Sequence, residues 1–221
     1  MAEKTLLERV FDKNPVVILI GQSGCGKGTQ TELFKKSYHK LHPKLELFTI
    51  GMGDEFRNEI PRFTPWISKK LHSTQVAGKR QPFSIATTLW TKKILYEYTG
   101  GPMLLEGSPR SEPEACAMLD FFSSIGKKPY LVCINVSNEE ATRRILARNE
   151  FLLKQGLPIR EDCSTAERIT EKLKFFETDV VPAVRKFSAS KNAILLPAFH
   201  STQNTIPADL HLDILNSISN N

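Results

Sequence analysis

Short apolar runs alternate with amphipathic stretches along most of the chain. Residues 15–20, PVVILI, form a β-branched run without polar alternation, as expected of a parallel strand buried on both faces. A short amphipathic helix is predicted before it, over 5–11. A glycine-rich segment, GQSGCGKGTQ, comes after it and leads into a helical pattern at 31–38. A second strand is predicted at 45–50, bounded by His42, Pro43 and Gly51. Residues 53–98 read as helical, with breaks at Pro61, Pro65 and 78–82. The runs MLLEG at 103–107 and YLVCINV at 130–136 read as two further buried strands, followed by helical stretches at 111–125 and 138–148. Over 165–187, Ile169, Leu173, Phe176, Val180, Val184 and Phe187 fall on one stripe at helical spacing, which predicts core. A last strand at 193–199 and a last helix at 207–218 complete the pattern. Five strands alternating with helices predict an α/β fold with a parallel sheet and right-handed crossovers. Residues 148–160, with Gly156 and Pro158 as breakers, read as a short mobile insertion.

With 221 residues, the chain fits one folding unit. A composition 40% hydrophobic and 24% charged argues against disorder and against a disulfide mini-scaffold. No apolar run approaches the roughly 20 residues that span a bilayer, and the N-terminus lacks a signal-peptide pattern, so a cytoplasmic chain without membrane association is expected. Cys25, Cys116, Cys133 and Cys163 contain no C-x-x-C pair, and the five histidines show no ligand spacing. Neither a structural zinc nor a disulfide framework is expected. Trp66 and Trp90 are expected in packing. Thirty Lys plus Arg against 24 Asp plus Glu leave +6, a balance suited to anionic partners. A dense basic tract or nucleic-acid module is missing from the pattern, so nucleic acid is not the expected partner.

The charge becomes informative at residues 21–29, GQSGCGKGT. Gly21, Gly26 and Lys27 hold the G-x-x-x-x-G-K spacing of a phosphate loop, after an apolar strand and before a helix. Glycines let successive backbone N–H groups turn inward, and the helix adds the positive end of its dipole. Lys27 would reach the phosphates. The hydroxyl that would hold Mg²⁺ is displaced by one position, to Thr29, because Gly28 intervenes.

GKGTQ at 26–30, GDEFR at 53–57, EGSPR at 106–110 and RILAR at 144–148 occur in series after the right elements. In this order they resemble the adenylate kinases and their nucleoside monophosphate kinase relatives, over most of the chain from residue 16 to the last strand. The resemblance implies a three-layer P-loop fold with a five-stranded parallel sheet, a helical NMP-binding insertion at about 51–82 and a short lid at about 148–162. It also implies a monomer that transfers phosphoryl from Mg·ATP to a nucleoside monophosphate, without a covalent intermediate. Gly21, Ser23, Gly24, Cys25, Gly26, Lys27, Gly28, Thr29, Arg144 and Arg148 would then hold ATP. Met52, Gly53, Arg57, Gln81, Gly107, Arg110, Glu114 and Arg160 would hold the acceptor. Thr29 and Glu106 would serve Mg²⁺, partly through water, although Glu106 could instead pair with Lys27. Lys27, Arg110, Arg148, Arg160 and Arg168 would stabilise the transferring group, since guanidinium grips phosphate bidentately.

Departures from that pattern bear on substrate choice. Glu114 stands where the family has a Gln that reads adenine. As an ionised carboxylate it only accepts hydrogen bonds, which suits guanine N1 and N2 donors better than the adenine edge. Equally, Glu114 could simply favour the dipole at a helix start. AMP is the first expected acceptor from overall similarity, and GMP is its rival. On the helix that follows the lid, Arg168 and Lys172 lie one turn apart and compete for one cationic role. Arg168 is preferred for its fork, whereas ungapped alignment favours Lys172.

Overall fold

The computed structural model describes residues 2–221. The elements run α1 (Ala2–Phe11), β1 (Val16–Ile20), α2 (Lys27–Leu41), β2 (Phe48–Gly51), α3 (Met52–Glu59), α4 (Pro65–Val76), α5 (Phe83–Glu97), β3 (Met103–Glu106), α6 (Glu112–Ser124), β4 (Tyr130–Asn135), α7 (Asn138–Lys154), α8 (Ala166–Phe175), α9 (Val181–Ser188), β5 (Ile194–Leu195), β6 (Phe199–His200) and α10 (Pro207–Asn220). The sheet is parallel in the order β2-β3-β1-β4-β5, with β6 also on β4.

All five residues of β1 are buried, and their alternation builds two cores at once. Val16, Ile18 and Ile20 pack with Trp90, Phe122 and Phe187 on one face. Val17 and Leu19 pack with Phe34, Ile214 and Ile218 on the other. A strand with no polar face therefore sits mid-sheet, registered on β3 through Leu19↔Glu106 and on β4 through Ile20↔Cys133. A third, smaller cluster joins Ala141 and Ile145 of α7 to Cys163, Ile169 and Leu173.

Three departures from the sequence expectation have an identifiable cause. The second strand begins at Phe48 rather than 45, because a turn closed by Leu45 N–H on His42 O precedes it. Helix α7 runs on to Lys154, beyond 148, since nothing breaks it before Gly156 (φ 68°). The last strand is split into β5 and β6. From Leu131 to Ile134 the β4 partner advances three positions, while the pairing strand advances four, from Leu195 to Phe199. Pro197 lies in that extra stretch and has no N–H for the ladder.

The 165–187 stripe is helical except for a five-residue π turn, Phe176–Val180, just before Pro182, which offers no N–H to the carbonyl four residues back. Ile169, Leu173, Val180 and Phe187 are buried, and Phe176 and Val184 half-buried. Trp90 is core, but Trp66 is 73% exposed on α4, against the expectation that it packs. No helix among the described residues is long and apolar enough to cross a membrane.

A buried polar cluster ties α10 to α2. The Gln30 amide donates to Pro207 O (2.9 Å), which leaves its Oε1 to accept from His211 Nδ1 (3.1 Å). His211 Nε2 then accepts from the Ser37 hydroxyl (2.9 Å), so the ring is neutral with the proton on Nδ1. Burial, helped by Lys40, pushes the His211 pKa down to about 4. Between about pH 6.5 and pH 4 the unfolded chain binds the additional proton and the folded one does not, so stability falls as pH falls through this window. The contribution is about 3 kcal/mol. Urea midpoints measured from pH 7 to pH 4 should decline more steeply for the wild type than for His211→Gln.

Candidate active site

A cavity of about 810 Å³ opens at the carboxyl ends of β1, β2 and β3, where open α/β sheets place ligands. Every position from Gly21 to Thr29 lines it. The loop's shape depends on glycine at two points. Gly24 has φ 84°, and a Cβ there would strike Ala141 O at the start of α7. Gly26, at φ 103°, is the left-handed residue that turns the chain into α2. Gln22 fastens the loop to the end of β4 by donating to Val136 O (2.7 Å). Helix α2 starts without a side-chain cap, so its first N–H groups are free for an anion. Lys27 Nζ curls into the loop, donating to Gly21 O (2.7 Å) and Gln22 O (3.0 Å). It does not pair with Glu106, whose Oε2 accepts from the Thr31 hydroxyl (3.0 Å).

Around this loop stand Arg57 on α3, Arg110 after β3, Arg144 and Arg148 on α7, and Arg160, all on the same cavity wall. Arg57 pairs with Asp54 one turn earlier. The Arg110 guanidinium lies over the Phe56 ring, 5.8 Å from its centroid, and Nε donates to Gly107 O (2.5 Å). Burial pushes the Arg110 pKa down, and Glu114, Asp162 and Glu106 oppose this. Arg160 is exposed as a residue, yet desolvation of its head, then Arg57 and Arg148, push its pKa down, against Asp162 and Asp54. Arg148 is left uncompensated: among the described residues none hydrogen-bonds its buried Nε and Nη2. Guanidinium groups stay charged, so the wall is a cationic field that a polyanion would satisfy.

Arg144 is held differently. It donates to Glu140 Oε1 (2.6 Å), Ser201 Oγ (2.9 Å), Thr202 O (2.7 Å) and Gly24 O (3.3 Å), tying α7 to the phosphate loop and to the segment before α10. Arg143, followed by Arg144, keeps the Glu140 carboxyl at about 2, so this anchor is ionised throughout the working pH range.

Several expected residues sit elsewhere. Met52 is fully buried in the core beneath α3 and does not reach the cavity. Arg168 donates to Glu161 O (2.8 Å) and Ser164 Oγ (2.6 Å) at the start of α8, off the wall. Lys172, one turn on along the same face, lines the cavity and pairs with Asp162, so position along the helix axis overrides the preference for a guanidinium. Glu114 is 1% exposed, engaged with its own loop and off the cavity wall. Gln81 and Gly53 line the cavity, and the Gln81 amide donates to Leu71 O (3.0 Å) while its Oε1 is buried without a partner. Thr29 is exposed at the cavity, and Glu106 is half-buried. Sequence reading missed Thr31 and Phe56. Thr31 had a signal in its helical phase, two residues past Thr29 and so facing the sheet. The placing of Phe56 beneath Arg110 had none.

A parallel sheet that delivers a glycine-rich loop and a cluster of arginines to its carboxyl edge defines an adenylate-kinase-like P-loop protein. Comparison with known proteins agrees: the Zeta toxin family model matches residues 3–188, and the chain belongs to that family. An adenylate kinase of Chlamydia trachomatis serovar D is 24% identical over 239 residues, covering 95% of this chain and 92% of that protein. Adenylate kinases of Pelobacter propionicus and Agathobacter rectalis are each 29% identical, over 60% and 62% of this chain and 57% and 60% of their own lengths.

The orphaned Arg148 guanidinium should be costly to the empty protein and useful to a bound one. Arg148→Met is expected to keep or raise the thermal midpoint without ligand while losing most of the midpoint increase that ATP produces. Thermal melts with and without ATP check both halves.

Proposed function

We propose that the protein is a nucleoside monophosphate kinase, transferring the γ-phosphoryl group of Mg·ATP reversibly to a monophosphate, with AMP as acceptor. The observation that carries this reading is the convergence of five arginines and Lys27 on one cavity beside the phosphate loop. The name adenylate kinase, borne by relatives that cover nearly the whole chain, supports AMP. Engagement of both Glu114 oxygens with Ser108 and Arg110 weakens the particular argument for GMP.

Phosphoryl transfer spreads negative charge over equatorial oxygens with donor and acceptor oxygens in line, so catalysis is mainly positioning and cationic stabilisation. The N–H groups of the loop and of the first turn of α2 hold the donor phosphates, with Lys27 turning from its loop carbonyls onto them. Arg144, fixed by Glu140, lies beside the donor base. Arg57 and Arg110 grip the acceptor phosphate, and Arg148, Arg160 and Lys172 neutralise the group in transit. The segments at about 51–82 and 148–162 act as NMP-binding region and lid, closing to exclude water from a reactive phosphoryl group.

The oxygen donors present fit Mg²⁺. Among the described residues no group of three or more His, Cys, Asp or Glu forms a metal cage, and Mg²⁺ at phosphate sites is held by few side chains, waters and the phosphates. Thr31 occupies one Glu106 oxygen and leaves the other without a protein partner, so Glu106 and the Thr29 hydroxyl would hold the ion through its waters. Its contribution is neutralisation of the donor phosphates. The protein works on small nucleotides as a cytoplasmic monomer.

A coupled assay over AMP, GMP, CMP and UMP tests the reading: turnover is expected and is highest with AMP, and failure to phosphorylate all four sinks it. Loss of Arg110 or Arg160 should lower turnover by about 10³-fold or more, by analogy with arginine fingers. Of the two α8 cations, Lys172→Met should cause the larger loss and Arg168→Met the smaller. Steady-state rates of the two variants decide between them.

A further inference from the structure

The short loop from Gly107 to Ser111 carries Arg110 out of the sheet, and its conformation is held by one side chain from the next helix. Glu114 stands in the first turn of α6, whose N-cap, Ser111, makes no side-chain cap of its own. The carboxylate reaches back past the cap. Its Oε2 accepts from the Arg110 backbone N–H (2.7 Å), and its Oε1 accepts from the Ser108 hydroxyl (2.5 Å). Ser108 is fully buried, so its hydroxyl has no water to turn to. The Arg110 side chain then folds over the first residue of the same loop. Its Nε donates to Gly107 O, and a Cβ at Gly107 (φ 80°) would lie 3.1 Å from Nη2.

Three contacts thus fix Arg110: a backbone bond to Glu114, a side-chain bond to Gly107, and the face of Phe56. Only the first comes from a charged, removable group outside the loop. Burial pushes the Glu114 carboxyl up, while the Ser108 and Arg110 bonds and the Arg110 charge pull it down. A carboxylate kept in so dry a place needs its partners, and those partners are the loop that aims Arg110.

We propose that Glu114 is a positioning residue that sets Arg110 for the acceptor phosphate and does not contact the acceptor base. This deepens the kinase reading and rests on it for the identity of the ligand. A base reader needs a lone pair on the cavity wall, and Glu114 is off that wall with both oxygens turned to the loop. What it serves is common to every monophosphate. Its loss should therefore weaken all acceptors alike, whereas a base reader's loss would alter preference among them.

The test compares wild type, Glu114→Ala, Glu114→Gln, Arg110→Ala and the Arg110→Ala/Glu114→Ala double variant, with kcat and KM measured for AMP, GMP, CMP, UMP and ATP. Glu114→Ala should lower kcat/KM for each accepted monophosphate by a common factor of about 10 or more, with KM for ATP within about twofold of wild type. On the Arg110→Ala background it should cost nothing further. Glu114→Gln keeps an acceptor for the Arg110 N–H and offers the Ser108 hydroxyl an amide donor, so it should recover most of the loss. A loss confined to one base, or one that adds in full to that of Arg110→Ala, overturns the proposal. Should Glu114→Ala fail to fold, Ser108→Ala removes one of the two bonds and is expected to give the same base-independent pattern at a few-fold. Calorimetric titration of the same proteins with inorganic phosphate separates the two ideas. A wild type that phosphorylates no monophosphate sinks the kinase reading. The proposal then stands if phosphate affinity falls in Glu114→Ala only when Arg110 is present, and is overturned if it does not change.

Discussion

Guanidinium groups gathered at the edge of an apolar core repel one another and lose solvent, and the arrangement of this molecule follows from having to hold them apart and in place. Arg57, Arg110, Arg144, Arg148 and Arg160 come from four different parts of the chain to one cavity. Three of them are restrained, each by something unlike the others: Asp54 for Arg57, Gly107 and the Phe56 face for Arg110, Glu140 and the chain before α10 for Arg144. Arg148 has no restraint on two of its nitrogens. Such a field is unfavourable when empty and favourable around a polyanion, which is the physical meaning of a preorganised site.

The sheet makes that field possible. Because β1 is apolar on both faces, it is sandwiched between two cores and its carboxyl end is rigidly placed beside those of β3 and β4. The loop after β1 and the Arg110 loop after β3 are therefore set by strand register, through Leu19↔Glu106, and not by their own flexibility. Gln22 on Val136 and Glu114 on Arg110 then lock each loop from a neighbouring element. Buried polar side chains here act as fasteners for the two loops that carry Lys27 and Arg110 to the cavity.

Much of the fold was legible because its signals are local. An uninterrupted β-branched run, a glycine-rich bend, a helical stripe and a proline break each reflect the chemistry of a few adjacent residues. Errors arose where distant partners decide. The strand at 193–199 splits because it must follow β4 with an extra residue and a proline, and α7 continues past 148, where the buried Asn149 donates to Cys163 O (2.8 Å), with nothing to break it before Gly156. Trp66 showed the reverse: a large apolar residue, expected in packing, that no other element covers.

At the site, the sequence by itself determined that a phosphate loop follows β1 and which arginines accompany it, since backbone glycines, a lysine and their spacing carry that chemistry without help from the rest of the chain. Only the tertiary structure decided what each side chain faces. Place along one helix face brought Lys172 to the cavity and left Arg168, a turn earlier, bonded to the turn before α8. Burial of the first turn of α6 carried Glu114 off the cavity wall and onto Ser108 and Arg110. A residue type states which hydrogen bonds can be made; the packing around it, by removing water, determines which of them are made.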